Sequence, residues 1–103
     1  MVNNWDDERE IHSGVAWYRR DQWSLLKSAS VDSEDLEETY DEWLEYAERH
    51  FKDIWDAGID LHKVDVDVEE LIRWCKEHNH PLDGAARAEY VTKKFNKKRP
   101  GKS

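Results

Sequence analysis

The sequence predicts an α+β fold that is predominantly α-helical, with four main helices, one of them long and acidic, and a two-stranded β-ribbon. Three observations lead to this prediction. Apolar residues recur with a helical period over residues 33–55, the period changes to two near residue 64, and a short β-prone run follows Gly14. Because two isolated short strands persist only when they pair, we expect them to form the ribbon.

The length and composition of the chain indicate one domain. Its 103 residues are enough for a single hydrophobic core and too few for two. Charged residues make up 39% of the chain, but six Trp, four Tyr and two Phe supply large rings that can fill a core from few positions. The globular domain is predicted over residues 15–95. Residues 1–14 form an N-terminal arm whose order stays open, and residues 96–103 form a basic tail that is predicted to be disordered.

The first half of the domain is predicted to contain one strand and two helices. The β-prone run covers residues 15–18, and helical spacing of apolar residues continues over residues 20–29. The long helix is predicted over Ser33–Trp55.

The long helix has recognisable ends and two different faces. Asp32 or Ser33 is expected to be its N-cap, and Gly58 supplies the left-handed residue that ends it. The face opposite its apolar stripe carries mostly carboxylates, so that face must meet water or a basic partner. The apolar stripe consists of Leu36, Tyr40, Trp43, Leu44, Ala47, Phe51, Ile54 and Trp55.

The second half begins with the other strand, predicted over Leu61–Val66 because valines alternate there with lysine and aspartate. Asp67 and Glu70 form an acidic version of the capping box, which predicts a helix that ends near His78. The buried stripe of this helix is Val68, Leu71, Ile72 and Cys75.

A last helix is predicted from Gly84 to about Phe95, behind the N-cap residue Asp83. Its predicted inward residues are Ala85, Ala88, Val91 and Phe95, and its predicted outward residues are Arg87, Lys93 and Lys94.

Several stretches resemble a family of small uncharacterised bacterial proteins. They are Val15-Ala16-Trp17-Tyr18-Arg19-Arg20-Asp21-Gln22-Trp23, Thr39–Leu44, Lys63–Asp67 with Trp74-Cys75, and Asp83–Ala88. The resemblance covers residues 15–95 and implies a bacterial cytoplasmic domain. It implies no activity, ligand or catalytic residue.

The predicted protein-binding residues are Trp17, Tyr18, Arg19 and Arg20, together with the acidic helix face. Neighbouring strand residues point to opposite faces, so one of the two aromatic rings is expected to be partly exposed beside the arginines. Aromatic residues and arginine are enriched in binding hot spots. Two alternatives stay open: helices cover both sides of the ribbon, or Tyr18 only extends its hydroxyl to water.

An alternative hypothesis places an anionic ligand or a nucleic acid on the basic C-terminal segment. Residues 87–103 hold seven bases and one acid, whereas residues 32–56 hold eleven acids and two bases. The formal charge of −8 disfavours a dedicated nucleic-acid binder. The candidate anion-binding residues are Arg87, Lys93, Lys94, Lys97, Lys98 and Arg99.

A less favoured hypothesis is a metal site at Cys75, His78 and His80, because a thiolate and two imidazoles suit zinc if a fourth ligand such as His62 lies near. Cys75 also continues an apolar stripe, where a free cysteine behaves as a small hydrophobic residue, and this interpretation is preferred. No metal and no other cofactor are therefore predicted.

The chain contains no nucleophile elbow, phosphate-binding loop or metalloprotease motif. We therefore expect a non-enzymatic interaction or regulatory domain with an unknown protein partner. Cys75 is the single cysteine, so an intramolecular disulfide is excluded. No signal segment or membrane-length apolar run occurs, which predicts a cytoplasmic location and no membrane partner.

Overall fold

The computed structural model describes residues 11–98, apart from the side chain of Lys98. Within that range the fold is predominantly helical with two strands, which confirms the predicted class. The elements are β1 (His12–Trp17), α1 (Trp23–Ala29), α2 (Tyr40–Asp56), β2 (Asp60–Asp65), α3 (Val68–Glu77) and α4 (Gly84–Lys98), with short 3₁₀ turns at Arg20–Gln22 and Ser33–Asp35.

The two predicted terminal segments fall largely outside the described residues. Residues 12–14, assigned to the arm, belong to β1, and residues 96–98, assigned to the disordered tail, continue α4. Residues 1–10 and 99–103 are not described.

The two strands pair in parallel rather than as a ribbon. His12 lies opposite Asp60 and Trp17 lies opposite Asp65. Residues 18–59 connect the end of β1 to the start of β2 and contain α1 and α2. A parallel pair needs a long crossover of this kind, because the chain must return to the end of the sheet where it began.

Helices cover both faces of this small sheet. On one face, a Cβ atom built on Gly14 would lie 2.9 Å from Phe95 Cβ and 2.9 Å from Val64 Cγ2, so glycine allows α4 to approach β1 closely. On the other face, the ring of Phe51 in α2 lies 6.1 Å from the ring of Trp17. Parallel strands are normally buried in this way on both sides.

An aromatic cluster centred on Trp43 joins α2 to β1 and α1. The ring centroids of Trp17, Tyr18 and Tyr40 each lie 5.3 Å from that of Trp43, and Trp23 follows at 5.7 Å. Both rings therefore pack on the same core residue, although Trp17 is only half-buried, which agrees with the prediction that one of the two rings is partly exposed. Since β1 ends at Trp17, the alternation of a strand no longer applies to Tyr18.

The long helix begins later than predicted. The N-cap of α2 is Thr39, whose hydroxyl accepts from Glu42 N at 3.1 Å, while the Glu42 carboxylate accepts from Thr39 N at 3.4 Å. This capping box satisfies the free amides of the first turn, so the helix starts at Tyr40. Gly58 follows its end with φ of 101°, as predicted.

The predicted apolar stripe of α2 is buried only in part. Trp43 and Ala47 are buried, whereas Trp55 near the end of the helix is 37% exposed. The second half of the helix therefore covers less of the core than the first half.

The start of α3 is tied to the residues before α1. Asp67 Oδ1 accepts from Glu69 N at 3.0 Å and from Gln22 Nε2 at 3.1 Å, and Gln22 Oε1 accepts from Val68 N at 2.8 Å. The N-cap role of Asp67 is confirmed. The Glu70 carboxylate, which was predicted to complete the capping box, instead accepts from the hydroxyl of Tyr90 at 2.7 Å.

The inward face of α4 differs from the prediction. Asp83 caps the helix by accepting from Ala86 N at 2.9 Å, and Val91 and Phe95 are buried as predicted. Ala85 and Ala88 are exposed, whereas Ala86 and Tyr90 are buried. Burying the ring of Tyr90 removes far more apolar surface from water than burying two alanine methyl groups, and this difference favours the observed face.

Candidate functional site

The four predicted protein-binding residues lie together but differ in accessibility. Tyr18 is buried, with 8% of its surface exposed, and Trp17 is half-buried. The Arg19 guanidinium donates to the Asp65 carboxylate at 2.6 and 3.2 Å. The binding role of these residues remains a prediction.

The second arginine of this group is also engaged. Arg20 pairs with Asp41 at 2.8 Å, and its guanidinium carbon lies 4.7 Å from the centre of the Tyr40 ring. Both partners of this pair are well exposed, so it contributes little to stability.

The acidic face of α2 is exposed, as the sequence predicts for carboxylates such as Glu45 and Glu48. One aromatic residue lies among them, since Tyr46 is 50% exposed and its ring stacks on that of His50 at 5.4 Å.

Arg87, a predicted outward and anion-binding residue, is mostly buried and already paired. Its Nη1 and Nη2 donate to the two carboxylate oxygens of Asp32 at 3.0 and 2.9 Å, and Nη1 also donates to Ser30 Oγ at 3.2 Å. The guanidinium of Arg87 holds the pKa of Asp32 below its usual range, because it donates hydrogen bonds to the ionised carboxylate. Arg87 therefore fastens the loop before α2 to α4.

Three of the predicted anion-binding residues line a groove between α3 and α4. The groove has a volume of about 720 Å³, and we call it the lysine groove. Its lining residues are Glu70, Trp74, Tyr90, Lys93, Lys94, Asn96 and Lys97. The remaining two candidates, the side chain of Lys98 and Arg99, lie outside the described residues.

The lysine groove is lined by two aromatic rings and by three lysine side chains. The rings of Trp74 and Tyr90 meet edge to face at 5.8 Å. Lys93 Nζ lies 5.9 Å from the centre of the Trp74 ring, and Lys94 Nζ lies 5.8 Å from that of Tyr90 while donating to the carbonyl of Asp65 at 2.7 Å.

Carboxylates limit what the lysine groove can accept. Glu89 lies 3.6 Å from Lys93 as an exposed ion pair. Glu70 accepts from the Tyr90 hydroxyl, and the pKa of that hydroxyl is raised, first by burial and then by this hydrogen bond. The neutral tyrosine therefore occupies part of the hydrogen-bonding capacity of Glu70, and an acidic ligand would compete with Glu89 for the Lys93 ammonium group.

The predicted Cys75, His78 and His80 set does not form a metal-ligand group in the structure. Cys75 is buried, and burial raises the pKa of its thiol, which disfavours the thiolate that a metal requires. The Nδ1 atoms of His78 and His80 lie 2.8 Å from the carbonyl oxygens of Trp74 and Pro81, respectively. The preferred interpretation of Cys75 as a packed apolar residue agrees with its burial.

A different cluster of possible metal ligands lies where the two strands begin. Within residues 11–98, one group of side chains could hold a metal ion. It consists of His12, Asp60 and His62, and one ligand atom of each lies within 4.8 Å of the other two. Sequence reasoning used His62 only as an accessory to Cys75 and missed the other two. The spacing Asp60-x-His62 places both side chains on one face of a strand, but His12 joins them only through the parallel register.

Comparison with known proteins adds no evidence about function. No protein-family model matches the chain, and neither the curated proteins nor the solved structures contain a match. The resemblance to small uncharacterised bacterial proteins thus remains a prediction. None of the helices in residues 11–98 combines the length and the apolar character that crossing a membrane requires.

Proposed function

We propose that this chain is a non-enzymatic interaction domain that binds a short acidic segment of a partner protein in the lysine groove. The observation that carries the proposal is that Lys93, Lys94 and Lys97 line one groove together with the rings of Trp74 and Tyr90. Concave sites with an apolar base and a few convergent polar groups are the usual form of binding sites.

The spacing of the lysines suits an extended peptide. Lys93 and Lys97 are four residues apart on α4, which corresponds to about 6 Å along a helix axis. Alternate side chains of an extended chain are about 6.6 Å apart. Two acidic residues separated by one residue therefore match the two ammonium groups, and the intervening residue points to the opposite side of the peptide.

The charge of the whole molecule favours a short segment over a nucleic acid. The formal charge is −8, and the exposed carboxylates of α2 make one side of the domain strongly negative. A long polyanion would meet this repulsion, whereas a few carboxylates in the groove interact mainly with nearby lysines, since salt screens exposed charges over about 10 Å at 0.1 M.

The proposal keeps the predicted function of a non-enzymatic interaction domain, but it assigns binding to the lysine groove and not to the segment around Trp17 and Tyr18. The segment around Trp17 and Tyr18 is covered by aromatic packing, and Arg87 is occupied by Asp32. The bacterial cytoplasmic setting, which rests on the family resemblance, is part of the proposal. Fractionation of the native host's cells tests that setting.

Calorimetric titration tests the proposal. The ligand is a peptide with three aspartates at alternating positions, and the reference is the same peptide with asparagines. We expect the aspartate peptide alone to bind wild-type protein, and Lys93→Gln/Lys97→Gln to weaken this binding at least tenfold, a loss of about 1.4 kcal/mol.

The matched control is Lys52→Gln/Lys76→Gln, which removes the same charge from exposed positions outside the lysine groove. Equal losses in the two double variants would mean that only net charge matters and would reject the groove. Binding of a single-stranded oligonucleotide in preference to the peptide would reject the protein partner.

A further inference from the structure

His12, Asp60 and His62 present three metal-binding atoms to one point at the start of the sheet. Asp60 Oδ2 lies 2.9 Å from His12 Nδ1 and 3.1 Å from His62 Nε2. Both imidazoles therefore approach the same carboxylate oxygen. Side chains that converge on one point, rather than on separate acceptors, are typical of ligands around an ion.

The backbone fixes this arrangement. His12 and Asp60 are directly opposite in the parallel register, and His62 follows two residues later on the same face. Asp60 N donates to the carbonyl of Ile11 at 2.8 Å, which anchors the carboxylate-bearing residue to the neighbouring strand. The His62 ring packs against Phe95 at 5.4 Å, so α4 holds its orientation.

The carboxylate is buried while one side of the cluster remains accessible. Asp60 is 7% exposed, and a buried charge requires compensation by a cation or by hydrogen bonds. The side chains of His12 and His62 are 24% and 44% exposed. The half-exposed side chain of His62 therefore leaves the buried carboxylate within reach of an ion from solvent.

We propose that His12 Nδ1, Asp60 Oδ2 and His62 Nε2 bind one divalent transition-metal ion. In a tetrahedral zinc site with bonds of about 2.0–2.1 Å, ligand atoms are about 3.3 Å apart. The two distances to Asp60 Oδ2 are near this value, and all three ligand atoms lie within 4.8 Å of one another.

The donor set defines the class of ion. Two imidazoles and one carboxylate suit zinc, iron, cobalt and nickel, whereas calcium and magnesium prefer sites made of oxygen atoms. Three protein ligands leave at least one coordination position open to water, and the exposed side of His62 is where that water would lie. This site is separate from the lysine groove and does not depend on the function proposed for that groove.

Zinc binding to the metal-free full chain tests this site. The protein is treated with a chelator, dialysed and titrated calorimetrically with Zn²⁺ alone. We expect one ion per chain in the wild type, and at least tenfold weaker binding in His62→Gln and Asp60→Asn. His62 is half-exposed, so His62→Gln keeps the test valid if Asp60→Asn fails to fold.

The matched control is His78→Gln/His80→Gln, which removes the two histidines near Cys75 and should leave zinc binding unchanged. Melting provides a second readout, because an ion that links the starts of β1 and β2 binds only the folded chain. Saturating Zn²⁺ should raise the melting temperature of the wild type and the control by about 5 °C or more, and should not raise that of His62→Gln.

A Co²⁺ complex distinguishes the two sets of ligands further, because a cysteine ligand would produce a thiolate charge-transfer band that His12, Asp60 and His62 cannot produce. Wild-type zinc binding no tighter than that of His62→Gln would overturn the proposal. Loss of binding in His78→Gln/His80→Gln with retention in His62→Gln would overturn it as well.

Discussion

Two nitrogens of Arg87 lie 3.0 and 2.9 Å from the two carboxylate oxygens of Asp32, across 55 positions of sequence. Asp32 also accepts from Gly84 N at 3.1 Å, at the first residue of α4. The side chains of Arg87 and Asp32 are only 12% and 23% exposed. This bidentate pair connects the loop before α2 to the start of α4, and it explains why Arg87 is unavailable to a ligand.

Breaking this pair should destabilise the fold. We expect Asp32→Ala to cost about 2–3 kcal/mol, below the 3–5 kcal/mol typical of fully buried pairs because some solvent reaches Asp32. The exposed pair of Arg20 and Asp41 is the control, and Asp41→Ala should cost less than about 1 kcal/mol. Urea unfolding measures both values, and similar costs would show that the Arg87 pair has no special role.

The pair of Arg87 and Asp32 should also make the stability of the fold depend on pH. Arg87 lowers the pKa of Asp32 in the folded state. The contribution of Asp32 to the unfolding free energy is therefore complete above the pKa of Asp32 in the unfolded chain, about 3.9, and is lost as pH falls through its pKa in the folded chain. The difference in unfolding free energy between wild type and Asp32→Asn should shrink between pH 6 and pH 3. A difference that stays constant over this range would contradict the proposed cause.

Trp43 is the centre of the aromatic cluster, and its replacement should strongly reduce the free energy of unfolding. We expect Trp43→Ala to cost about 3–5 kcal/mol, the range for truncating a core aromatic residue. Glu45→Ala, on the exposed face of the same helix, should change stability by no more than about 0.5 kcal/mol. Equal shifts of the two urea midpoints would mean that the other face of α2 is buried.

Trp17 and Tyr18 both contact Trp43, so each should contribute to stability. We expect Trp17→Ala and Tyr18→Ala each to cost several kcal/mol, with the larger effect at the more deeply buried Tyr18. Thermal and urea unfolding of the two variants provides the measurement. If either replacement left stability unchanged, that ring would be free to serve as the recognition surface that the sequence predicts.

Local signals in the sequence predicted most elements of the fold. The N-caps Asp67 and Asp83 and the left-handed Gly58 act through neighbouring backbone atoms, so their roles follow from a few adjacent residues. The late start of α2 was also readable, because Thr39-x-x-Glu42 has the form of a capping box.

Long-range relationships could not be predicted in the same way. The parallel pairing of β1 and β2 and the contact of Arg87 with Asp32 depend on how the connecting helices pack. Lys93 and Lys97 were recognised by charge alone, whereas their aromatic partner Trp74 becomes part of the groove only when α3 packs on α4. The periodicity of apolar residues predicts which face of a helix is buried, but it does not predict which element packs against that face.

The lysine groove is the central functional claim, and mapping a bound acidic peptide by nuclear magnetic resonance tests it most directly. The backbone amides of the ¹⁵N-labelled chain are followed while the peptide with alternating aspartates is added. We expect the largest chemical-shift changes in residues 70–74 and 90–97, which contain the groove, and none of comparable size in the acidic helix α2. Changes centred on α2 or on residues 17–20, or no saturable changes at all, would contradict the claim.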